Sequence, residues 1–250
     1  MSDPAARRRD RLVAQAEAAL ARLAQDPRDH VARGSLHEAV ERLDRHLGTE
    51  DPGDRQLRER LVEDVRRRHL SPPLPPLPVR TERLLLRLRE PHDIDDLHAI
   101  YGRDDVTELL LQPALARDEL ELWLSERAAS DEEDAVGLLA EHDGRVVGEV
   151  SLAFHGPTQA ELGWTFHPDV GGRGLATEAA RALLDLGFGH YALHRITAEL
   201  DARNTASRRL CERLGMRLEG HRLADYWSKG EWTDTLQYAL LAGEWDARRH

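Results

Sequence analysis

An α+β architecture, with a mixed α/β sheet behind a separate helical region, is predicted by three features of the sequence. Residues 5–70 carry apolar positions at helical spacing, and residues 71–78 are the proline-rich run SPPLPPLP. Beyond residue 79 the apolar period changes to that of strands, which come first in hairpins and later alternate with helices. A length of 250 residues allows one or two domains. The expected organisation is an N-terminal helical domain over 1–70, a linker over 71–78 and a second domain over 79–250.

In the helical part, Leu12, Ala16, Leu20 and Leu23 fall on one face before Asp26-Pro27 breaks the pattern. A second helix is expected to open at Ser35, where Glu38 three residues later makes a capping box. Its stripe is Leu36, Val40, Leu43 and Leu47, with Gly48 as its stop, and a third stripe is Leu57, Leu61 and Val65. Such amphipathic helices must cover one another, the rest of the chain or a second copy. The prolines of 71–78 favour an extended polyproline II form, which reads as a semi-rigid linker rather than a ligand for a proline-recognising module.

Further along, TERLLLRLRE (81–90) predicts a strand, and helices are expected over 93–102 and 118–129. Residues 135–154 read as a hairpin about Asp143-Gly144, and QAELGWTF (159–166) as the next strand. A helix over 177–188, a strand over 196–201 and a helix over 205–214 follow, with strands near 216–223 and 233–241.

An apolar content of 40% is enough for a packed core and excludes a wholly disordered chain. The chain holds 35 basic and 46 acidic residues, and the imbalance lies in one part. Residues 1–70 have 15 basic and 14 acidic groups, whereas residues 71–250 have 20 and 32. A part with a net charge of −12 repels a nucleic-acid backbone and attracts cations, and the Arg66-Arg67-Arg68 triplet is too short to reverse that. All basic residues but Lys229 are arginine, which reads as biased codon usage. The single cysteine, Cys211, excludes an internal disulfide framework and a cysteine-cage zinc site. It shares a helix with Leu210 and Leu214, which favours a buried apolar role over that of an acyl carrier. Without a long apolar run or a signal-type N-terminus, the expectation is a cytoplasmic protein with no membrane partner.

The segment richest in chemistry is PDVGGRGLATEAARALLDLGF (168–188). Small residues at a helix entrance let backbone N–H groups converge on an anion, and the helix dipole adds positive potential. This predicts a cradle for phosphate or pyrophosphate. No Lys-Ser/Thr follows the last glycine, so it is not a Walker loop, and the spacing of Gly172, Gly174 and Ala176 is not that of a dinucleotide fingerprint.

The run GGRGLATEAA resembles motif A of the GNAT acetyltransferase superfamily, in which Arg/Gln-x-x-Gly-x-Gly/Ala cradles the pyrophosphate of acetyl-CoA. Gly174 and Ala176 match, and Gly171 stands where Arg or Gln is usual. DARNTASRRLCERLGM (201–216) resembles the family's Asn-x-x-Ser…Glu-Lys-x-Gly-Phe block through Asn204, Ser207, Glu212 and Gly215, with Arg213 and Met216 replacing Lys and Phe. The opening TERLLLR and the closing WTDTLQYALLAGEW (232–245) resemble the branch that includes the ribosomal-protein N-terminal acetyltransferases. The likeness covers about residues 79–245 and leaves out 1–70.

The resemblance implies a GNAT fold whose fourth and fifth strands splay to admit acetyl-CoA, with Glu161–Phe166 in the fourth. The backbone near Trp164 and Thr165 would hold the thioester. Val170, Gly171, Gly172, Arg173, Gly174, Leu175, Ala176 and Thr177 would hold the pyrophosphate. Asn204 would contact the pantetheine arm or only cap the next helix, and Ser207 would place a hydroxyl near the sulfur or cap that same turn. Glu161 and Asp225 are the candidates for a base or for positioning the amine. Tyr226 would donate to the sulfur or belong to the core.

The implied reaction is acetyl transfer to an amine, either a protein N-terminus or a small cationic amine, with specificity set by 93–130 and 222–232. The acidic run Asp131–Asp134, if it borders the acceptor, would favour cations. The alternative is an acyl-CoA-binding regulator without catalysis. In either case the N-terminal helices could serve as an interaction or homodimerisation module.

Overall fold

The computed structural model describes residues 4–45, 47, 52–63, 74–131 and 135–249. Gly48, Val65, the triplet Arg66–Arg68, residues 71–73 of the proline run and residues 132–134 of the acidic run lie outside the described residues. The chain divides into two compact units. One comprises Met1–Pro73, His155–Thr158 and Tyr191–His194, and the other Leu74–Phe154, Gln159–His190 and Arg195–His250.

The first unit holds helices α1 (Pro4–Gln25), α2 (His30–Asp44) and α3 (Pro52–Leu57), the last continued by a π-helical turn at Arg58–Glu63. Their apolar faces meet in a single core containing Leu12, Ala16, Ala19 and Leu23 of α1, and Leu36, Val40 and Leu43 of α2, with Leu61 and Val62. Leu20 sits at the rim of this core, and Ala19 is fully inside it. The second helix opens five residues before the expected Ser35. Asp29 is its N-cap, accepting from the Ala32 N–H at 2.9 Å while paired with Arg22. Ser35 therefore lies mid-helix, where its hydroxyl accepts from Gln15 Nε2 at 3.2 Å.

In the second unit, strands β1 (Val79–Arg80) and β2 (Leu85–Arg87) precede helices α4 (Ile94–Tyr101), α5 (Asp104–Thr107) and α6 (Arg117–Asp131). Strands β3 (Ala135–His142), β4 (Arg145–Phe154) and β5 (Gln159–Phe166) follow, then helix α7 (Leu175–Asp185) and strand β6 (Arg195–Asp201). Helix α8 (Thr205–Leu214), strands β7 (Arg217–Ser228) and β8 (Glu231–Leu241) and helix α9 (Ala242–Arg249) complete it. The eight strands form one sheet in the order β1-β2-β3-β4-β5-β6-β8-β7. Only β5 and β6 run parallel; the other neighbours are antiparallel. Among the described residues, no helix is long and apolar enough to cross a membrane.

Three expectations need correction. The run 81–90 is not one strand, because the Thr81 N–H bonds the Leu84 carbonyl at 3.0 Å and the Leu84 N–H bonds the Thr81 hydroxyl, folding a turn between β1 and β2. The helix expected over 177–188 begins at Leu175, since Gly174 at φ +80° already acts as its N-cap. β7 runs to Ser228, carried past 223 by register shifts near Gly220 and between Arg222 and Tyr226. The Asp143-Gly144 turn is as expected, with φ of 52° and 76°, the left-handed pair that a two-residue hairpin needs.

One buried ion pair ties the start of the sheet to the following helices. Arg87 on β2 grips Asp93 through two hydrogen bonds of 2.7 and 2.8 Å and Glu141 on β3 at 2.8 Å. The side chain of Asp93 is only 2% exposed, so without the guanidinium its charge would stand uncompensated in the interior. Replacing Arg87→Met should lower the unfolding free energy by about 3–5 kcal/mol, read from guanidinium chloride denaturation. A loss under about 1 kcal/mol would show that the pair is not needed.

Candidate active site

The site begins with an interruption in the sheet. β4 and β5 pair at seven positions and β6 and β8 at seven, but β5 and β6 pair only through Gln159–Arg195, Ala160–Ile196 and Glu161–Thr197. Beyond Glu161 the two parallel strands diverge, and a cavity of about 550 Å³ opens there. Its walls are Glu161 to Thr165 of β5, Glu199 to Asp201 of β6, Glu149 and Ser151 of β4, and the start of α8 at Asn204 and Ser207. Arg222, Asp225 and Tyr226 of β7, Thr233 and Thr235 of β8, Tyr101 of α4, Trp123 of α6 and the loop 108–112 complete it.

The expected residues fall into two groups. Glu161, Trp164, Thr165, Asn204, Ser207, Asp225 and Tyr226 share this one cavity. Val170 to Thr177 form a separate cradle at the entrance of α7.

In that cradle, Gly172 and Gly174 have φ of +73° and +80°, which L side chains rarely adopt. A Cβ on Gly171 would lie 2.8 Å from the Pro168 carbonyl. A side chain at Gly171 would therefore need this tight turn after β5 to shift. Leu175 and Thr177 turn their side chains inward, and the Thr177 hydroxyl accepts from Arg213 Nε at 3.2 Å. What these positions offer a ligand is the N–H groups of the first helical turn, which have no intrahelical acceptor. A chain reversal built from glycines and ending in free N–H groups fits a pyrophosphate.

The Asn204 side-chain oxygen accepts from the Ser207 N–H at 2.9 Å, so Asn204 is the N-cap of α8. The Ser207 hydroxyl oxygen accepts from Trp164 Nε1 at 3.1 Å, which leaves its own proton available. Asp225 lies within β7 and is held by Arg222 at 2.7 Å. Arg222 also grips Glu199 at 3.0 and 2.6 Å. Loss of hydration pushes the Asp225 carboxyl up, but hydrogen bonds from Arg222 and Thr235 outweigh it and hold the group below the ordinary aspartate value. Tyr226 is 42% exposed and lines the cavity, so it is not a core residue.

Sequence reasoning missed Tyr101, Glu149, Glu199 and Arg222. The Tyr101 hydroxyl donates to Glu149 at 3.1 Å. Glu149 and Ser151 alternate with buried Val150 and Leu152 along β4. That alternation marks them as a polar face, although it does not show that the face borders a cavity. Six carboxylates line the cavity, from Glu108, Glu149, Glu161, Glu199, Asp201 and Asp225, against the guanidinium of Arg222. Arg203, outside the lining, pairs with Asp201 at 2.7 Å. The local field therefore favours a cation.

A split between parallel strands, a glycine cradle at the following helix and an acidic cavity are the features expected of an acyltransferase that takes its acyl group from a CoA thioester. Residues 83–217 match the acetyltransferase (GNAT) domain family. The chain belongs to that family and is an N-acetyltransferase that uses acetyl-CoA. It is similar to the uncharacterized N-acetyltransferase YnaD of Bacillus subtilis (strain 168), at 29% identity over 168 residues, 67% of this chain and 99% of that one. The crystal structure of a GNAT-family acetyltransferase from Bacillus anthracis has 30% identity and a TM-score of 0.61, covering 66% of this chain and 99% of that one. The spermidine N-acetyltransferase of Vibrio cholerae, in complex with CoA and spermine, shares the fold at 21% identity and a TM-score of 0.59, covering 66% of this chain and 99% of its own.

Two predictions follow from the surroundings of the cavity. Cys211 is buried on α8, and burial pushes its thiol up to about 12, so almost no thiolate exists at neutral pH. Folded protein should leave a disulfide reagent such as DTNB unconsumed at pH 8, with full reaction after denaturation. Rapid labelling of native protein would contradict this. Lys229, in the β7–β8 turn, donates its ammonium to the carbonyls of Thr107, Glu108 and Leu110, whose segment walls the cavity. Three converging carbonyls suit a compact three-donor ammonium better than a planar guanidinium. Lys229→Met should cost about 1–2 kcal/mol in urea unfolding, with Lys229→Arg failing to restore it.

Proposed function

We propose that this enzyme acetylates a cationic primary amine, a protein N-terminus or a small polyamine, by direct attack of the amine nitrogen on the thioester. The observation that carries this reading is the carboxylate-walled cavity at the β5–β6 split, with Glu161, Ser207, Asp225 and Tyr226 in its lining. Bound acetyl-CoA supplies the electrophilic thioester carbonyl and a thiol as leaving group. The backbone from Val170 to Thr177 would hold its pyrophosphate, and β5 near Trp164 and Thr165 would hold its acyl end, where pairing with β6 has ceased.

A carboxylate held low by Arg222 is a poor proton acceptor and a lasting anion, so Asp225 anchors the ammonium of the acceptor. Glu161, at the last position of β5 paired with β6, is the candidate to take the proton from the attacking amine. The Ser207 Oγ, oriented through the indole of Trp164, holds the proton that is given to the departing sulfur. Tyr226, on the same wall, shields the reacting end from solvent.

A panel of amines and peptides, with thiol release as the readout, tests the reading. Cationic acceptors should outpace neutral and anionic ones, and equal rates across the panel would refute it. Ser207→Ala should lower kcat by about a hundredfold with little change in the KM of the amine. Asp225→Asn should raise that KM about tenfold while kcat changes little. Because the Asp225 carboxyl is held below its ordinary value, the KM difference should stay constant from about pH 5 to 7, where the acceptor amine is also protonated.

A further inference from the structure

The opening Thr-Glu-Arg run has no part in the chemistry described so far, yet its side chains reach the entrance of α7. Glu178 stands in the first turn of that helix. Its carboxylate accepts from the Thr81 hydroxyl at 2.5 Å, the Arg83 N–H at 2.7 Å and Arg83 Nε at 2.7 Å, and the Arg83 Nη2 lies 2.7 Å away. Arg83 Nη1 donates to the carbonyl of Arg173, inside the glycine cradle, at 2.9 Å. The Arg83 carbonyl in turn meets His142 Nδ1 at 3.0 Å, and His142 Nε2 lies 2.9 Å from the Arg173 guanidinium. That geometry requires the His142 tautomer protonated at Nδ1, which leaves Nε2 as the acceptor.

A carboxylate one turn into this helix is a liability for pyrophosphate binding. Left alone, Glu178 would repel the anion and compete for the same N–H groups. Burial pushes its carboxyl up, but the bonds from Thr81 and Arg83 more than reverse this, so it stays ionised and needs a counter-charge. Arg83 meets it with three nitrogens, the backbone N–H, Nε and Nη2, and a fourth, Nη1, holds the cradle's own backbone.

We propose that Arg83 is a positioning residue for acetyl-CoA: it neutralises Glu178, so that the N-terminus of α7 presents net positive potential to the pyrophosphate. The Arg83–Glu178 pair takes no part in acetyl transfer itself; it acts through the helix entrance. This inference rests on the cradle reading given above.

The test is calorimetric titration of CoA into the full chain, with thermal melting to confirm folding. Arg83→Gln should weaken CoA binding about tenfold, whereas Arg83→Lys, which keeps the charge, should stay within about threefold. The double variant Arg83→Gln/Glu178→Gln should return to within about threefold of wild type, and Glu178→Gln alone should bind about threefold more tightly. A double variant as weak as Arg83→Gln would overturn the proposal, since the arginine would then act only as a structural clamp. Wild-type affinity in Arg83→Gln would overturn it as well. Should Arg83→Gln not fold, Glu178→Gln decides: tighter binding supports the proposal, and unchanged or weaker binding overturns it. Failure of the wild type to bind CoA would instead fall on the cradle reading.

Discussion

The parallel contact between β5 and β6 is the constraint on which the rest of the structure depends. Each strand is secured on its other side, β5 by β4 and β6 by β8, each through seven residue pairs. Their mutual contact is limited to three pairs, and it lies at the beginning of both strands. The strands therefore separate toward their C-terminal ends. Those ends lead into α7 and α8, so two helix N-termini follow directly from the two sides of the gap. Ligand sites in sheets with parallel strands lie beyond such carboxyl ends, where neighbouring connections part. The cavity and the cradle both derive from this one failure to pair.

In the proposed reaction a cationic acceptor and the anionic acetyl-CoA impose opposite demands on one acidic domain. The net charge of −12 over residues 71–250 suits a cationic acceptor but opposes an anionic donor. In that reaction the two demands fall at different places. Side-chain carboxylates line the cavity, while the cradle would work through backbone N–H groups that carry no formal charge. Arginines adjust both places: Arg222 holds Glu199 and Asp225, and Arg83 holds Glu178. In the proposed reaction the same residue type would thus set how much negative field each substrate meets.

Much of the fold was legible from local pattern. The Asp143-Gly144 turn, the strand at 159–166 and the helix at 205–214 stand where alternation, turn chemistry and an Asn cap put them. Errors arose where one local signal masked another. Ser35-x-x-Glu38 has the form of a cap, but Asp29 after Asp-Pro takes that role first, because it leaves the turn in extended backbone with a side-chain oxygen that accepts from the Ala32 N–H. The run 81–90 is apolar enough for a strand, but the Thr81 hydroxyl competes for backbone partners and folds a turn inside it. β7 outruns its apolar pattern because nearly all of it is exposed and a register shift carries it past 223.

The sequence by itself determined the local features: the glycine turn ahead of α7, the Asp143-Gly144 hairpin turn, the acidic balance of residues 71–250 and the order of the main elements. Each depends on neighbours within a few residues or on composition, and those are written in the chain directly. Only the tertiary structure decided which polar groups face one another. Tyr101 and Glu149 are 48 residues apart, Trp164 and Ser207 43, and Arg83 and Glu178 95. No period in the sequence relates such partners. They meet because strand pairing places β4 beside β5 and a three-pair contact leaves β6 free to diverge, and register is a property of the assembled sheet.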